Sequence, residues 1–262
     1  MEASRYLSFA PGSGEDGFEA EFFEPLAGLE PGFWWFEARN ELIVWTLRRW
    51  FPGMSSFLEI GCGTGFVISR LAREFPGVRM SASEIFAEAM PFVAGRTPGA
   101  ELYQFGACDI PFRDEFDVVG AFDVVEHIGA DDVALAEMRR AVRPGGGLVL
   151  TVPQHPALWG PSDDIGHHKR RYTRRALRTR LESSGYRVLA MRSFVALLMP
   201  LLIASRLAAR RSAAPDPRDE FRIARWMNRA LSGVMALERA AIVRGADSPF
   251  GGSLIAVAQR VG

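Results

Sequence analysis

The chain of 262 residues has only two cysteines, Cys62 and Cys108. They are too few for a disulfide framework, and neither has a second Cys or His at metal-ligand spacing, so a reducing cytoplasm and no metal are expected. Lysine is scarcer still: Lys169 is the only one among 31 basic residues. No apolar run approaches the ~20 residues that span a bilayer. The most apolar stretch, Phe194 to Ala204, is short and contains Pro200. The opening MEASRYLSFAPGSGEDGFEAEFF lacks the basic start and apolar core of an export signal. Net charge is also missing, with 31 basic against 31 acidic side chains, which argues against a protein that coats nucleic acid, and no nucleic-acid partner is expected. The balance conceals an asymmetry. Residues 1–166 are strongly acidic and residues 167–262 strongly basic.

What is present is an ordinary globular composition, 48% hydrophobic and 24% charged. Residues 33–50 place apolar groups at helical spacing ahead of Pro52-Gly53, which predicts N-terminal cap helices over 1–52 and a second unit over 53–262. Short apolar runs then alternate with helical segments. Strands are expected at 57–60, 78–83, 102–105, 116–122, 148–152, 186–192 and 253–259, and helices at 65–74, 86–95 and 131–142. Runs such as FDVVGAF and GLVLTV are apolar throughout, as in parallel strands covered on both faces. The fold class is α/β, a doubly wound Rossmann-like sheet. A helical insertion is expected at about 194–246, between the last two strands.

The sharpest local feature is FLEIGCGTG, residues 57–65, a strand running into glycines before a helix. Such a loop lets backbone approach a ligand, and the helix start offers free N–H groups. A tight strand-to-helix turn needs glycines with or without a ligand, so the spacing matters. Gly61, Gly63 and Gly65 are followed by Phe66, unlike the dinucleotide fingerprint G-x-G-x-x-G. Glu59, just before the loop, would repel a pyrophosphate and suits a ligand carrying an ammonium group. Glu84 ends the second strand, where a carboxylate can accept from both hydroxyls of a ribose. Asp109 follows the third. Three acids at three neighbouring strand ends border one crevice.

These residues resemble the class I S-adenosylmethionine-dependent methyltransferases, and within them the bacterial group that modifies quinones, lipids and other small molecules. The resemblance runs through LEIGCGTG (58–65), Glu84, CDIPF (108–112), FDVVGAFDVVEHI (116–128) and RPGGGLVLTVP (143–153). It implies a seven-stranded sheet of order 3-2-1-4-5-7-6 with the last strand antiparallel. It also implies S-adenosylmethionine as cofactor and S-adenosylhomocysteine as product. By the same resemblance Gly61, Cys62, Gly63 and Gly65 approach the methionine part. Glu84 with Ile85 holds the ribose, Asp109 with Ile110 marks the adenine, and Phe122, Asp123 and Val124 pack beside the sulfonium. The second strand ends in SASE, where the family often has G-x-D.

Methyl transfer from a sulfonium is an in-line displacement, so the protein aligns donor and acceptor and removes a proton from a neutral acceptor. His127, His155 and His168, with Tyr172, are the candidate catalytic groups, and the structural alternatives are a helix-start role for His127, a loop role for His155 and a bond from Asp163 or Asp164 that simply holds His168. Arg39 is a candidate for the methionine carboxylate. Trp34 and Trp35 look like a cap over the acceptor, and Arg170 and Arg171 belong to a basic run, 167–180, suited to an anion. The segment 194–211 and the amphipathic helix around Glu220 to Arg244 read either as packing on the sheet edge or on a twin subunit, or as a peripheral contact with the inner face of a membrane. The expected acceptor is a small, anionic, partly apolar and lipid-linked or soluble molecule, and the chain a monomer or homodimer. The competing class is a cofactor-binding module without methyl transfer.

Overall fold

The strand Ser56–Ile60 is buried at every position, because it lies mid-sheet with helices on both faces. In the computed structural model, which describes residues 6–9, 20–211 and 223–262, the strands are β1 (Leu7–Ser8), β2 (Ser56–Ile60), β3 (Arg79–Glu84), β4 (Glu101–Gln104), β5 (Phe116–Phe122), β6 (Val142–Pro153), β7 (Tyr186–Phe194) and β8 (Ser253–Arg260). The helices are α1 (Phe23–Leu29), α2 (Trp34–Trp50), α3 (Phe66–Glu74), α4 (Met90–Arg96), α5 (Asp131–Ala141), α6 (Pro161–Ile165), α7 (Arg174–Ser183), α8 (Met199–Arg211) and α9 (Arg225–Val243).

One sheet runs β1-β4-β3-β2-β5-β6-β8-β7. Strand β8 is antiparallel to both its neighbours, and the other pairs are parallel. The expected seven-stranded order is therefore present, with one correction: an eighth strand, β1, pairs with β4 through Leu7 and Tyr103. Its two residues are too short to leave a periodic signal. They are held by Phe9, whose ring packs against Tyr103, Phe105 and Phe112.

Side chains alternate between two apolar layers, except at the register shifts where β5 pairs with β6 and β7 with β8. Phe57, Val118, Val149 and Ile255 join Ile43, Leu47, Ile68 and Met235 on one face. Leu58, Val119, Leu148 and Ala256 join Leu135, Met138 and Leu177 on the other. Helix α2 shares the first layer with α3 and α9. The helix expected from Phe194 begins instead at Met199, since Phe194 still belongs to β7 and Pro200 is tolerated only in a first helical turn. Glu220, the expected start of the second amphipathic helix, lies outside the described residues.

Asp117 ties the β2 and β5 ends together. Its carboxylate accepts from the Ser55 N–H at 2.7 Å, the Ser55 hydroxyl at 2.6 Å and Arg143 at 2.9 Å. Partial burial raises its pKa, but these donors outweigh it and bring it to about 2. A depressed carboxylate contributes stability that is complete above its unfolded pKa of ~3.9 and is lost as pH falls through the folded value. Asp117→Asn should lower stability by about 1 kcal/mol at pH 7, given its partial exposure, and flatten the loss between pH 4 and 2 in urea titrations. An unchanged acid limb would remove Asp117 from that role.

Candidate active site

The loops leaving β2, β3, β4 and β5 enclose a cavity of about 570 Å³, at the carboxyl ends of the strands where open α/β sheets bind ligands. The loop between β2 and α3 forms one side. Gly63 has φ +53°, and a Cβ there would meet nothing within 4 Å. Gly65, at φ +76°, is pressed against the Val93 backbone, which a Cβ would reach at 3.0 Å. The Gly63 N–H donates to Glu84 Oε2 at 2.9 Å, and the Ile85 N–H donates to Oε1 at 2.8 Å. Burial raises the Glu84 pKa, and these N–H bonds oppose the rise.

Glu59 is almost fully buried, and its Oε2 has no hydrogen-bond partner. Burial pushes its pKa well above the carboxylate range, with Arg39 pulling the other way. Such an orphaned oxygen at the cavity wall is suited to a cationic ligand group. Among the described residues lining the cavity, the carboxylates are Glu30, Glu59, Glu84, Asp109 and Asp123, against the single guanidinium of Arg39. The wall favours a cation over a pyrophosphate.

Glu30 had no sequence signal. It stands at the end of α1, accepts from the Thr64 hydroxyl and from Arg96, each at 2.5 Å, and so locks the N-terminal helix onto the glycine loop. Phe23, Leu26, Trp35, Phe36 and Phe66 add an apolar wall. Arg39 lies over the Trp35 ring at 4.7 Å and pairs with Asp123 at 2.5 Å. Asp123, at φ +58°, also accepts from Thr151 at 3.0 Å.

The remaining wall comes from β5 and the segment before α7. His127 and His168 meet edge to face with centroids 4.6 Å apart. Burial, then His168, lowers the His127 pKa to about 4, so its imidazole is neutral at pH 7. His168 Nδ1 lies 2.8 Å from Asp163 Oδ1. Of the two acids expected as alternatives behind that ring, the fold selects the fully buried Asp163, while Asp164 accepts from the Trp159 indole N–H instead.

The cavity brings together most of the residues expected from sequence: Trp35, Arg39, Glu59, Gly61, Cys62, Gly63, Glu84, Ile85, Asp109, Phe122, Asp123, Val124, His127 and His168. Others lie outside its lining. Gly65 supports the loop from behind, and Ile110 is buried in the opposite layer. The Trp34 N–H donates to Asn228 at 2.9 Å. His155, at φ +62°, packs on Phe250, and burial lowers its pKa. The Tyr172 hydroxyl donates to Asp131 at 2.7 Å, and burial and that carboxylate raise its pKa. Arg170 pairs with Asp131 at 2.5 Å and Arg171 with Asp163 at 2.7 Å. Leu198 is packed in the first core layer while Leu201 is exposed, and neither lines the cavity. Among the described residues no helix is long and apolar enough to cross a membrane.

Residues 58–150, which carry the glycine loop, Glu84, Asp109 and β5, match the family model described as a methyltransferase domain. This segment is a methyltransferase domain of the S-adenosylmethionine-dependent kind. A probable S-adenosylmethionine-dependent methyltransferase of Mycolicibacterium smegmatis is 27% identical over 170 residues, 62% of this chain and 63% of that protein. A fatty-acid O-methyltransferase of the same organism is 35% identical over 97 residues, 36% of this chain and 35% of that one. The chain thus spans less than two thirds of the length of these curated relatives. A SAM-dependent methyltransferase structure from Thermotoga maritima superimposes with a TM-score of 0.58 at 14% identity, covering 92% of this chain and 95% of that one, a likeness of fold alone. The cofactor of a methyltransferase domain of this kind is S-adenosylmethionine. The wall fits it: the orphaned Glu59 oxygen suits the ammonium, and the bare Gly63 leaves room beside it.

Proposed function

We propose that the protein transfers a methyl group from S-adenosylmethionine to a small, partly apolar acceptor bound against the His127 and His168 wall. One observation carries the reading: a single cavity has cation-accepting carboxylates and a glycine loop at one end and two imidazoles beside a buried acid at the other. The bound cofactor supplies a methyl group on a sulfonium, open to in-line attack. The chain's own residues do the rest. Glu84 offers its carboxylate to the ribose hydroxyls, Glu59 faces the ammonium, and Asp109 stands at the adenine end. Phe122, Asp123 and Val124 flank the sulfonium. Phe23, Leu26, Trp35 and Phe36 exclude water and give the acceptor an apolar surface, which favours orderly alignment of the reacting atoms. His127 and His168 line the side of the cavity from which the acceptor's proton leaves.

An anionic group on the acceptor would have to be met by Arg39, which lines the wall and is itself paired with Asp123, since Arg170 and Arg171 lie outside the lining and are bonded to Asp131 and Asp163. The reading therefore leans on the apolar half of the expected acceptor. Calorimetry should show S-adenosylhomocysteine binding with a Kd in the micromolar range, about −8 kcal/mol, with no competition from NADH. Methyl-labelled cofactor incubated with a metabolite extract should give a labelled small molecule. Tight NADH binding without S-adenosylhomocysteine binding would overturn the cofactor assignment, and cofactor binding without any labelled product would favour a binding module.

A further inference from the structure

Glu126, four residues past the end of β5, is fully buried, and neither of its carboxylate oxygens has a hydrogen-bond partner. A bare carboxylate in such a place is costly unless a proton or a cation accompanies it. The charged groups that face it are Asp123, Arg39 and Arg171, and both guanidinia are already bonded to Asp123 and Asp163. Beside it, His127 Nδ1 is likewise buried without a partner. His168 comes from a segment 41 positions away, yet one ligand atom from each of Glu126, His127 and His168 falls within 4.8 Å of the other two. A tetrahedral site with bonds of ~2.1 Å has edges of about 3.4 Å, so side-chain shifts of little more than an ångström would close the set.

We infer that Glu126, His127 and His168 form a binding site for a divalent transition-metal ion, of the zinc class, at the acceptor end of the cavity. Two imidazoles and one carboxylate suit zinc and its first-row neighbours. Magnesium and calcium prefer sets of oxygen ligands and fit poorly. The outer contacts agree: His168 Nδ1 is hydrogen-bonded to the carboxylate of Asp163, the usual support behind a metal-bound imidazole. His127 and His168 both line the cavity, so a fourth coordination position would open toward the acceptor. An ion held there would supply Lewis acidity: an acceptor hydroxyl bound to it would give its proton to solvent, its oxygen would form the bond to the methyl carbon, and the methyl–sulfur bond would break to release S-adenosylhomocysteine, with no change of oxidation state. The lone pair of His168 is then a ligand. This inference rests on the reading of the cavity as a methyl-transfer site, and the sequence expectation of no metal considered only cysteine spacing.

The test uses chelator-treated full-length protein, titrated with Zn²⁺ by calorimetry and with Co²⁺ by visible absorption. One ion per chain should bind, and imidazole-bound Co²⁺ should absorb in the visible. E126Q and H168N should each weaken binding by at least about tenfold, with circular dichroism and S-adenosylhomocysteine affinity unchanged. H168N, at a partly exposed ring, keeps the test open if E126Q misfolds. Absence of stoichiometric binding, or an affinity in both variants equal to that of the unsubstituted protein, would overturn the site. The two readings separate cleanly: Co²⁺ binding that depends on Glu126 without S-adenosylhomocysteine binding sinks methyl transfer alone, and the reverse sinks the metal site alone.

Discussion

Replacing Gly63 with valine should abolish cofactor binding and leave the sheet folded. The backbone at Gly63 is left-handed, at φ +53°, where a β-branched residue is strained by roughly 1–2 kcal/mol. That strain is affordable to a domain of this size. The effect on binding is larger, because the new side chain points into open space, which is the cavity beside the glycine loop. It also disturbs the N–H that Glu84 accepts. Affinity for S-adenosylhomocysteine should fall at least about 100-fold, or roughly 2.7 kcal/mol, in calorimetry, while circular dichroism is unchanged. The neighbouring glycines differ. A Cβ at Gly61 would meet the Val124 side chain at 2.8 Å, and one at Gly65 the Val93 backbone at 3.0 Å, so substitution there should unfold rather than merely empty the site. Retained affinity in Gly63→Val would mean that the cofactor does not pass the glycine loop.

Asp163→Ala should be the most damaging change outside the cavity lining. The Asp163 side chain is fully buried and accepts from Gly160 N–H at 2.8 Å, Arg171 Nε at 2.7 Å and His168 Nδ1. Burial raises its pKa, yet the bonds from His168 and Arg171 prevail and hold it below the usual value. Alanine leaves the Arg171 guanidinium buried without a counter-charge, which destabilises by about 3–5 kcal/mol and should lower Tm on the order of 10 °C. It also frees the His168 ring from its tautomer and orientation. In folded protein kcat should fall while S-adenosylhomocysteine affinity stays level, since Asp163 lies behind the wall. Asp163→Asn keeps the shape and should recover part of the stability and less of the rate. A level kcat in the alanine variant would show that His168 needs no positioning partner.

The relation between sequence and site is uneven for identifiable reasons. The glycine loop, Glu84, Asp109 and the β5 end are legible because each lies within a few residues of a strand whose apolar run announces it, and parallel strands deliver their C-terminal ends to one edge. His127 shares that advantage. His155 and Tyr172 looked equally well placed, yet they turn toward Phe250 and Asp131, a choice made by packing over many residues. Arg170 and Arg171 read as a free cationic rim, and the structure pairs them with acids 39 and 8 positions away. Glu30 carried no signal, because a polar side chain far along the chain shows no periodicity until it is folded against its partner, and the sequence left Asp163 and Asp164 as equal candidates behind His168 until packing chose between them.

The sequence by itself determined the alternation of strands and helices and the glycine loop, because these follow from local apolar runs and from backbone freedom at a few glycines, and its motifs, through their resemblance to a known family, implied the strand order apart from β1 and the cofactor. Only the tertiary structure decided which histidines share a wall, which arginines are already neutralised, and that Glu126 is sealed beside two imidazoles. Those outcomes depend on contacts between segments tens of residues apart, where burial removes water and makes each unpaired charge expensive enough to select its partner.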